Sequence, residues 1–564
     1  MKRKLLSGIG ILSLLLFPGV IQAQNDNTVR ADWYNLSPDD DGVYGVGVDK
    51  AYRFLQGKKQ SYIPLVAIIG SGMDIEHEAL AKYIWINPTE KEDGIDNDKN
   101  GYVDDIHGWN FLGSSSGETM EFTMRTGDRE FFRLKDAYAD YININGKWFK
   151  YIDGKRVEVS APADMDVYNY YREQVIPESK VAGSYGGFAL SYLLKEYALK
   201  FNEELKAKYP GREDYTAAEF ASLWDRHGVQ DDTRNIAITL MGYYFHFGDI
   251  DSWNTVFDHY NGNNQYDQSR KEYEENLTLY GSDKRADFLR DNPDDIRDRS
   301  YGNNQLLTPF STDATMMAGV VTGERGIDGR NSPISNARIL PLVAVAGAGG
   351  EPYIKDIVLA MEYAMDKGAD IIVLPKQNTI YTPNEKKWMS EALRKAERKG
   401  VLVIVGTSES SIDLDQVTYY PNRFMAGEPA LTNLMVVSPS DKDGNPTMKS
   451  NYGKKGLDLY APGVSILSAN VGDIYQKASG MAFASATTAG VAALVKSYYP
   501  KLTGTQIRDI LLKSVTRRED TEVEKGIRIN NRAAQDLFLF DQLSLSGGIV
   551  NAYQAVRIAG QTDK

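Results

Sequence analysis

Residues 478–494 read ASGMAFASATTAGVAAL, from Ala478 to Leu494. Ser479 and Gly480 make a tight entry, and the Ala, Thr, Gly and Val behind them are small or apolar on every face, the composition of a buried helix rather than a surface one. A chain turning into such a helix presents free backbone N–H groups at its entry, where an enzyme places a nucleophile and an oxyanion site. Ala482 stands at that entry. Alanine offers no nucleophile, so the stretch has the frame of a reactive site without its reactive atom.

Moving outward, the preceding segments alternate in type. Asp313 to Thr322 reads as a small-residue helix, Ala337 to Val345 as a strand, Tyr353 to Lys367 as a helix, Ala369 to Leu374 as a strand, Asn384 to Lys399 as a helix and Val401 to Val405 as a strand. Leu434 to Val437 and Leu457 to Tyr460 are further short strands, and Ala484 to Tyr498 is the helix of the quoted stretch. Strands alternating with helices of this length predict an α/β fold, a parallel sheet covered on both faces. Farther upstream, the apolar run SYIPLVAII, Ser61 to Ile69, stops at Gly70-Ser71-Gly72. It predicts a buried parallel strand, whose carboxyl end is the usual place for active-site groups.

Between 114 and 304 the chain is polar and Tyr-rich, unlike its flanks, with helices over Phe188 to Lys208 and Ala217 to Arg226 and no internal repeat. It closes in DNPDDIRDRSYGNN, Asp291 to Asn304, a loop returning to the main domain. Lys2, Arg3 and Lys4 precede an apolar run from Leu5 to Phe17, and Ala23 closes a cleavage site, the pattern of a secretory signal peptide too short to span a bilayer. The expected organisation is a signal peptide at 1–23, an N-terminal extension at 24–60, the first part of the main domain at 61–113, a mostly helical insertion at 114–304 and the remainder of the main domain at 305–564. The mature chain is expected to be exported, periplasmic or secreted, with no transmembrane segment after cleavage.

The 564 residues include no Cys, which removes disulfides, thiolate chemistry and a lipid-anchored Cys. The net charge of −13 argues against a nucleic-acid partner, which needs a basic stripe to neutralise phosphates. No organic cofactor is implied. GIDNDKNGYVDD, Gly94 to Asp105, does imply a metal: Asp96, Asp98 and Asn100 alternate, Gly101 permits a sharp turn, and the Tyr102 carbonyl and Asp104 follow at the spacing of a calcium loop. His107 stands where the twelfth-position Glu belongs, and a polar Asx-rich turn is the competing reading of the same residues.

Taken together, these segments resemble the subtilisin-like serine proteases, or subtilases, whose catalytic order is Asp, His, Ser. VAIIGSGMDIEHEAL at Val66 to Leu80 is similar to the Asp motif, DATMMAG at Asp313 to Gly319 to HGTHVAG, and SGMAFASATTAGVAAL at Ser479 to Leu494 to SGTSMAAP with its helix. VLVIVGTSES at Val401 to Ser410 is similar to the strand ending in AAGN, whose Asn completes the oxyanion hole. The resemblance implies a subtilisin-like three-layer fold with a mostly parallel sheet. It also implies a substrate cleft along Pro375, Lys376, Gln377, Gly406, Thr407 and Ser408.

Residue by residue, the chemical positions depart from that pattern. Gly70 stands in place of the orienting Asp, Asp313 in place of the general-base His, Ala482 in place of the nucleophilic Ser and Glu409 in place of the oxyanion Asn. A carboxylate does not perform imidazole's proton exchange near neutral pH, and Glu409 would repel a developing oxyanion. A triad rebuilt from Ser479 or Ser485 needs a base, and the five histidines (His77, His107, His227, His246 and His259) all lie outside the motif helices. Pro375 has no N–H to pair with substrate backbone. These departures imply a pseudoprotease that binds peptide or protein or acts as a regulator. Against it stand an active serine endopeptidase and a carboxylate-based hydrolase using Asp313 and Glu409.

Overall fold

The computed structural model describes residues 30–562, apart from 145, 153–154, 225–231, 263–264, 324–332, 426–428 and 530–531. The signal-peptide reading of 1–23 therefore lies outside the described residues, as does His227; the helix expected at Ala217 to Arg226 is shorter, ending at Ala221 where the Ser222 N–H closes its last turn.

Strand β1, Leu65–Gly70, is buried on both sides, with Val66 and Ile68 in one core and Ala67 and Ile69 in the other. That two-sided burial explains its unbroken apolar run. β2, Trp109–Asn110, follows, then a hairpin-linked trio in the insertion, β3 (Ile142–Ile144), β4 (Lys147–Ile152) and β5 (Lys155–Val159). After the insertion come β6 (Arg338–Val343), β7 (Ile371–Leu374), β8 (Leu402–Gly406), β9 (Leu434–Ser440) and β10 (Leu459–Pro462). A hairpin of β11 (Ile466–Asn470) and β12 (Ile474–Ala478) leads into the Met481–Tyr498 helix, and β13 (Thr516–Arg517), β14 (Glu522–Ile529), β15 (Arg532–Leu539) and β16 (Gly548–Ile549) complete the strands.

The main sheet runs β13-β16-β10-β9-β8-β7-β1-β6-β2, and every pairing is parallel except that of the edge strand β13 with β16. One face is covered by the helices Thr312–Val321, Met481–Tyr498, Gly504–Lys513 and Ala552–Thr562, together with Trp33, Tyr34 and Val48 of the N-terminal extension. Ile354–Asp366 and Pro383–Lys399 cover the other. This is an α/β fold in three layers. The Pro383–Lys399 helix shows why local sequence suffices: Thr382 and Glu385 form a capping box, Pro383 opens the first turn, and Gly400 closes it at φ +73°.

Between β2 and β6 the chain makes its long excursion. The helix expected to start at Phe188 begins earlier, at Lys180, because the Ser179 hydroxyl accepts the Ala182 N–H as an N-cap, and it runs to Lys208. Around it lie the helices Thr126–Tyr138, Ala217–Ala221, Asp232–Phe247, Trp253–Phe257 and Gln265–Tyr280, and Phe201, Phe220, Phe245 and Trp253 form a separate small core. The three-stranded β3–β5 sheet is the part of this stretch that is not helical.

The excursion begins and ends at one place, where Asn110 and Asn303 exchange backbone bonds of 2.8 and 3.0 Å. Its returning limb is pinned by a buried network. The Arg285 guanidinium reaches Asp291 and Asp356, the Lys355 ammonium reaches Asp291 at 2.8 Å, and the Tyr301 hydroxyl donates to Asp356.

Candidate functional site

The carboxyl ends of the parallel strands assemble the four positions singled out in the sequence. β1 ends in Gly70, and a Cβ added there would lie 3.1 Å from that of Ala314, next to Asp313 in the Thr312–Val321 helix. Ser71 Oγ donates to the Phe310 carbonyl, Thr308 Oγ1 donates to the Ser71 carbonyl, and Asp74 N–H reaches Thr315 Oγ1 at 2.9 Å. These bonds lash the end of β1 to the start of that helix. Asp313 is exposed in its first turn, where a carboxylate is favoured by the helix dipole.

β8 ends in Gly406, flush against the other helix. A Cβ there would meet Met481 Sδ at 2.8 Å and Ser485 Oγ at 3.0 Å. Glu409 lies just beyond, exposed, with Oε2 3.8 Å from where a Cβ on Gly480 would sit, so its carboxylate faces the entry of the Met481–Tyr498 helix. Ala482 is half-buried in that first turn. Because β7 alone separates β1 from β8, the two strand ends stand about 10 Å apart, two inter-strand spacings.

One buried side chain, which sequence reasoning missed, holds the Glu409 loop in place. Asn451 accepts the N–H groups of Ser410 and Ile412 through Oδ1, each at 3.1 Å, and donates through Nδ2 to Ser408 Oγ at 3.0 Å. From the far side, Arg528 of β14 donates to the Ser410 carbonyl at 2.9 Å.

Of the six residues expected to line a cleft, three are committed to the interior. The Gln377 N–H is spent on the Gly406 carbonyl at 3.1 Å and its amide on the Pro421 carbonyl at 2.7 Å, while Thr407 bonds Ser438 at 3.0 Å; Gln377, Gly406 and Thr407 are all buried. Pro375 and Ser408 are half-buried, and Lys376 alone is exposed. Part of this edge is thus taken up by its own bonds.

The described histidines are occupied elsewhere. His77 is buried: its Nδ1 accepts the Ala79 N–H at 3.1 Å, which places the proton on Nε2 for the Ile474 carbonyl at 3.2 Å. His107 meets the Trp85 carbonyl, and His246 and His259 contact Phe247 and Tyr244 within the insertion. Ser485 Oγ is buried with no hydrogen-bond partner, and Ser479 Oγ accepts the Ser465 N–H at 2.9 Å.

The acidic loop is arranged differently from the expected calcium set. Asp96 turns its oxygens onto the N–H groups of Asn100 and Gly101 at 3.1 and 2.8 Å. Asp104, at φ +55°, points back to the N–H groups of Asp93 and Gly94. Asn100 accepts from the Tyr102 N–H and donates to Asp105, and the Tyr102 ring packs against Trp109. Of the three expected aspartates, Asp98 alone joins a convergent group of acidic side chains, whose other members are Glu90 and Asp105, with ligand atoms within 4.8 Å of one another. A left-handed Asp104 turns out of the loop, while Glu90 enters from before it.

Burial alone would raise the Asp98 pKa, but Lys367, Asn87 and Thr89 hold it below the usual carboxylate range. Lys367 Nζ lies 2.6 Å from Asp98 and 3.2 Å from Asp105. Asp105 also accepts from Asn87, Asn100 and the Tyr363 hydroxyl, each at 2.7 Å.

Comparison with known proteins bears on this arrangement. The profile of the family described as "Subtilase family" matches residues 64–528. M-protease of Shouchella clausii (strain KSM-K16) is 31% identical over 192 residues, which is 34% of this chain and 47% of that protein. Subtilisin BL of Lederbergia lenta is 31% identical over 192 residues, 34% of this chain and 66% of that protein. The chain thus spans between about half and two thirds of these relatives' length. A solved structure of the prenylagaramide maturation protease PagA overlays 44% of this chain and 82% of its own at 23% identity and a TM-score of 0.35.

Proposed function

The chain belongs to the subtilase family, and on that premise we propose that it is a catalytically inactive member that binds peptide or protein. The observation that carries the reading is the set Gly70, Asp313, Ala482 and Glu409, four residues without a nucleophile or an imidazole, on strand ends and helix starts that remain tightly joined. Without a nucleophile no acyl-enzyme forms, and a carboxylate facing the helix entry opposes an oxyanion there. A bound partner would meet Lys376, Asp313 and Glu409, the exposed members of this edge.

Export belongs to the same proposal. The basic and apolar start of the sequence supports it, and among the described residues no helix is long and apolar enough to cross a membrane. Calcium, an ion that suits the family, enters as a stabilising ligand and takes no part in chemistry.

Two measurements test the reading. A fluorophosphonate probe with a general protease assay is expected to give no labelled Ser and no hydrolysis; labelling with turnover would return the chain to the active endopeptidases. Affinity capture of peptides from a protein digest by the intact chain is expected to enrich a common sequence pattern. Loss of that pattern when residues 114–304 are deleted would move the binding surface to the insertion.

A further inference from the structure

We propose that Glu90, Asp98 and Asp105 are the ligands of a divalent-cation centre and that the Lys367 ammonium competes with the ion for it. The inference rests on the calcium reading above and replaces the ligand set suggested by the loop's spacing.

Convergence is the first support, since the three carboxylates come together from both ends of the loop. Charge is the second: three carboxylates against one ammonium leave −3 + 1 = −2 at a site where Glu90 is 8% and Asp105 0% exposed. Paired buried charge is tolerated where it is neutralised, and a divalent ion supplies that amount. The third is an orphan atom. Glu90 Oε1 accepts the Asp98 N–H at 2.8 Å, but Oε2 is buried with no hydrogen-bond partner. A buried carboxylate oxygen left bare is costly, and a cation at the centre of the group would satisfy it.

The donors are all hard oxygens, as calcium prefers, and the amides of Asn87 and Asn100 orient the carboxylates from outside. Lys367 comes from the end of the Ile354–Asp366 helix, its side chain 11% exposed and its ammonium 5.2 Å from the Tyr363 ring and 5.9 Å from that of Trp85. An arriving ion must displace that ammonium from Asp98. The long stem of a lysine allows this, so the resident charge lowers the affinity without closing the site.

The test is thermal unfolding of the full chain titrated with calcium chloride, with terbium luminescence sensitised through Trp85 as a direct binding signal. Relative to the unmodified chain, Lys367→Met is expected to lower the half-saturating concentration roughly tenfold, Glu90→Gln to raise it roughly tenfold, and Asp96→Asn to leave it within about twofold. Binding no tighter in Lys367→Met overturns the proposal. Should that variant not fold, Glu90→Gln decides, and an unchanged titration overturns the proposal equally. A response abolished by Asp96→Asn but kept by Glu90→Gln overturns it while the calcium reading stands; no response in any variant removes both.

Discussion

Arg285 and Asp356 meet through two parallel bonds, Nη1 to Oδ2 at 2.6 Å and Nη2 to Oδ1 at 2.7 Å, with both side chains wholly buried. One lies on the returning limb of the insertion and the other in the first turn of the Ile354–Asp366 helix, so the pair joins two parts of the chain 71 residues apart. Arg285→Ala leaves the Asp356 carboxylate buried without its cation, since Lys355 serves Asp291. Such a loss costs about 3–5 kcal/mol, measurable as a lower midpoint in urea unfolding. A midpoint unchanged from the parent would show that solvent reaches the pair.

Lys525 of β14 is fully buried, donating to the carbonyls of Met448 and Gly526 at 3.0 and 3.2 Å beneath the Tyr452 ring. Among the described residues no carboxylate pairs with it, although Asp536 lies across from it on β15. Burial lowers its pKa from 10.5 to about 8. Below the lower value both folded and unfolded chains carry the proton. Between the two values the unfolded chain holds more protons, so folding stability gains as pH rises through this window. Urea unfolding at pH 7.5 and 10 is expected to show that gain in the parent relative to Lys525→Met; parallel pH dependence in the two proteins would refute it.

Asn451→Ala removes the acceptor for the Ser410 and Ile412 N–H groups. A fully buried donor left bare costs about 1–3 kcal/mol; Ser410 and Ile412 are half-buried, so the cost is smaller, and it falls on the loop carrying Glu409. Amide exchange at residues 408–412 is expected to accelerate well beyond the change in the Met481–Tyr498 helix. Uniform acceleration would mean global destabilisation instead.

Ala482→Ser is expected to leave a fluorogenic casein substrate uncleaved, because Asp313 cannot exchange the proton and no described imidazole lies within the site. Adding Asp313→His and Gly70→Asp supplies the missing groups, although the aspartate must push Ala314 aside, its Cβ starting only 3.1 Å away. Turnover by the single variant would point to a base contributed from elsewhere.

The strands and helices of the main domain were legible because each carries its own reason. β1 needed only five consecutive apolar residues and a glycine stop, and the Pro383–Lys399 helix needed only Thr382, Glu385 and Gly400. The edge strands β2 and β13 and the neighbouring β16, two residues each, have too little pattern to read. The grouping of Glu90 with Asp98 and Asp105 was illegible for a different reason. Lys367 is 269 residues from Asp98, so the charge that reshapes the loop arrives through tertiary packing, which no local spacing reports. Gln377 likewise gives no local sign that its N–H is already bonded to Gly406.

Asn110 and Asn303, bonded back to back, bring the insertion's point of departure and point of return together. A segment whose ends coincide can lengthen, shorten or be exchanged without shifting the strands that bear it. The sheet and the excursion can therefore vary as separate inheritances, the one holding its strand ends in place while the other changes in length and content.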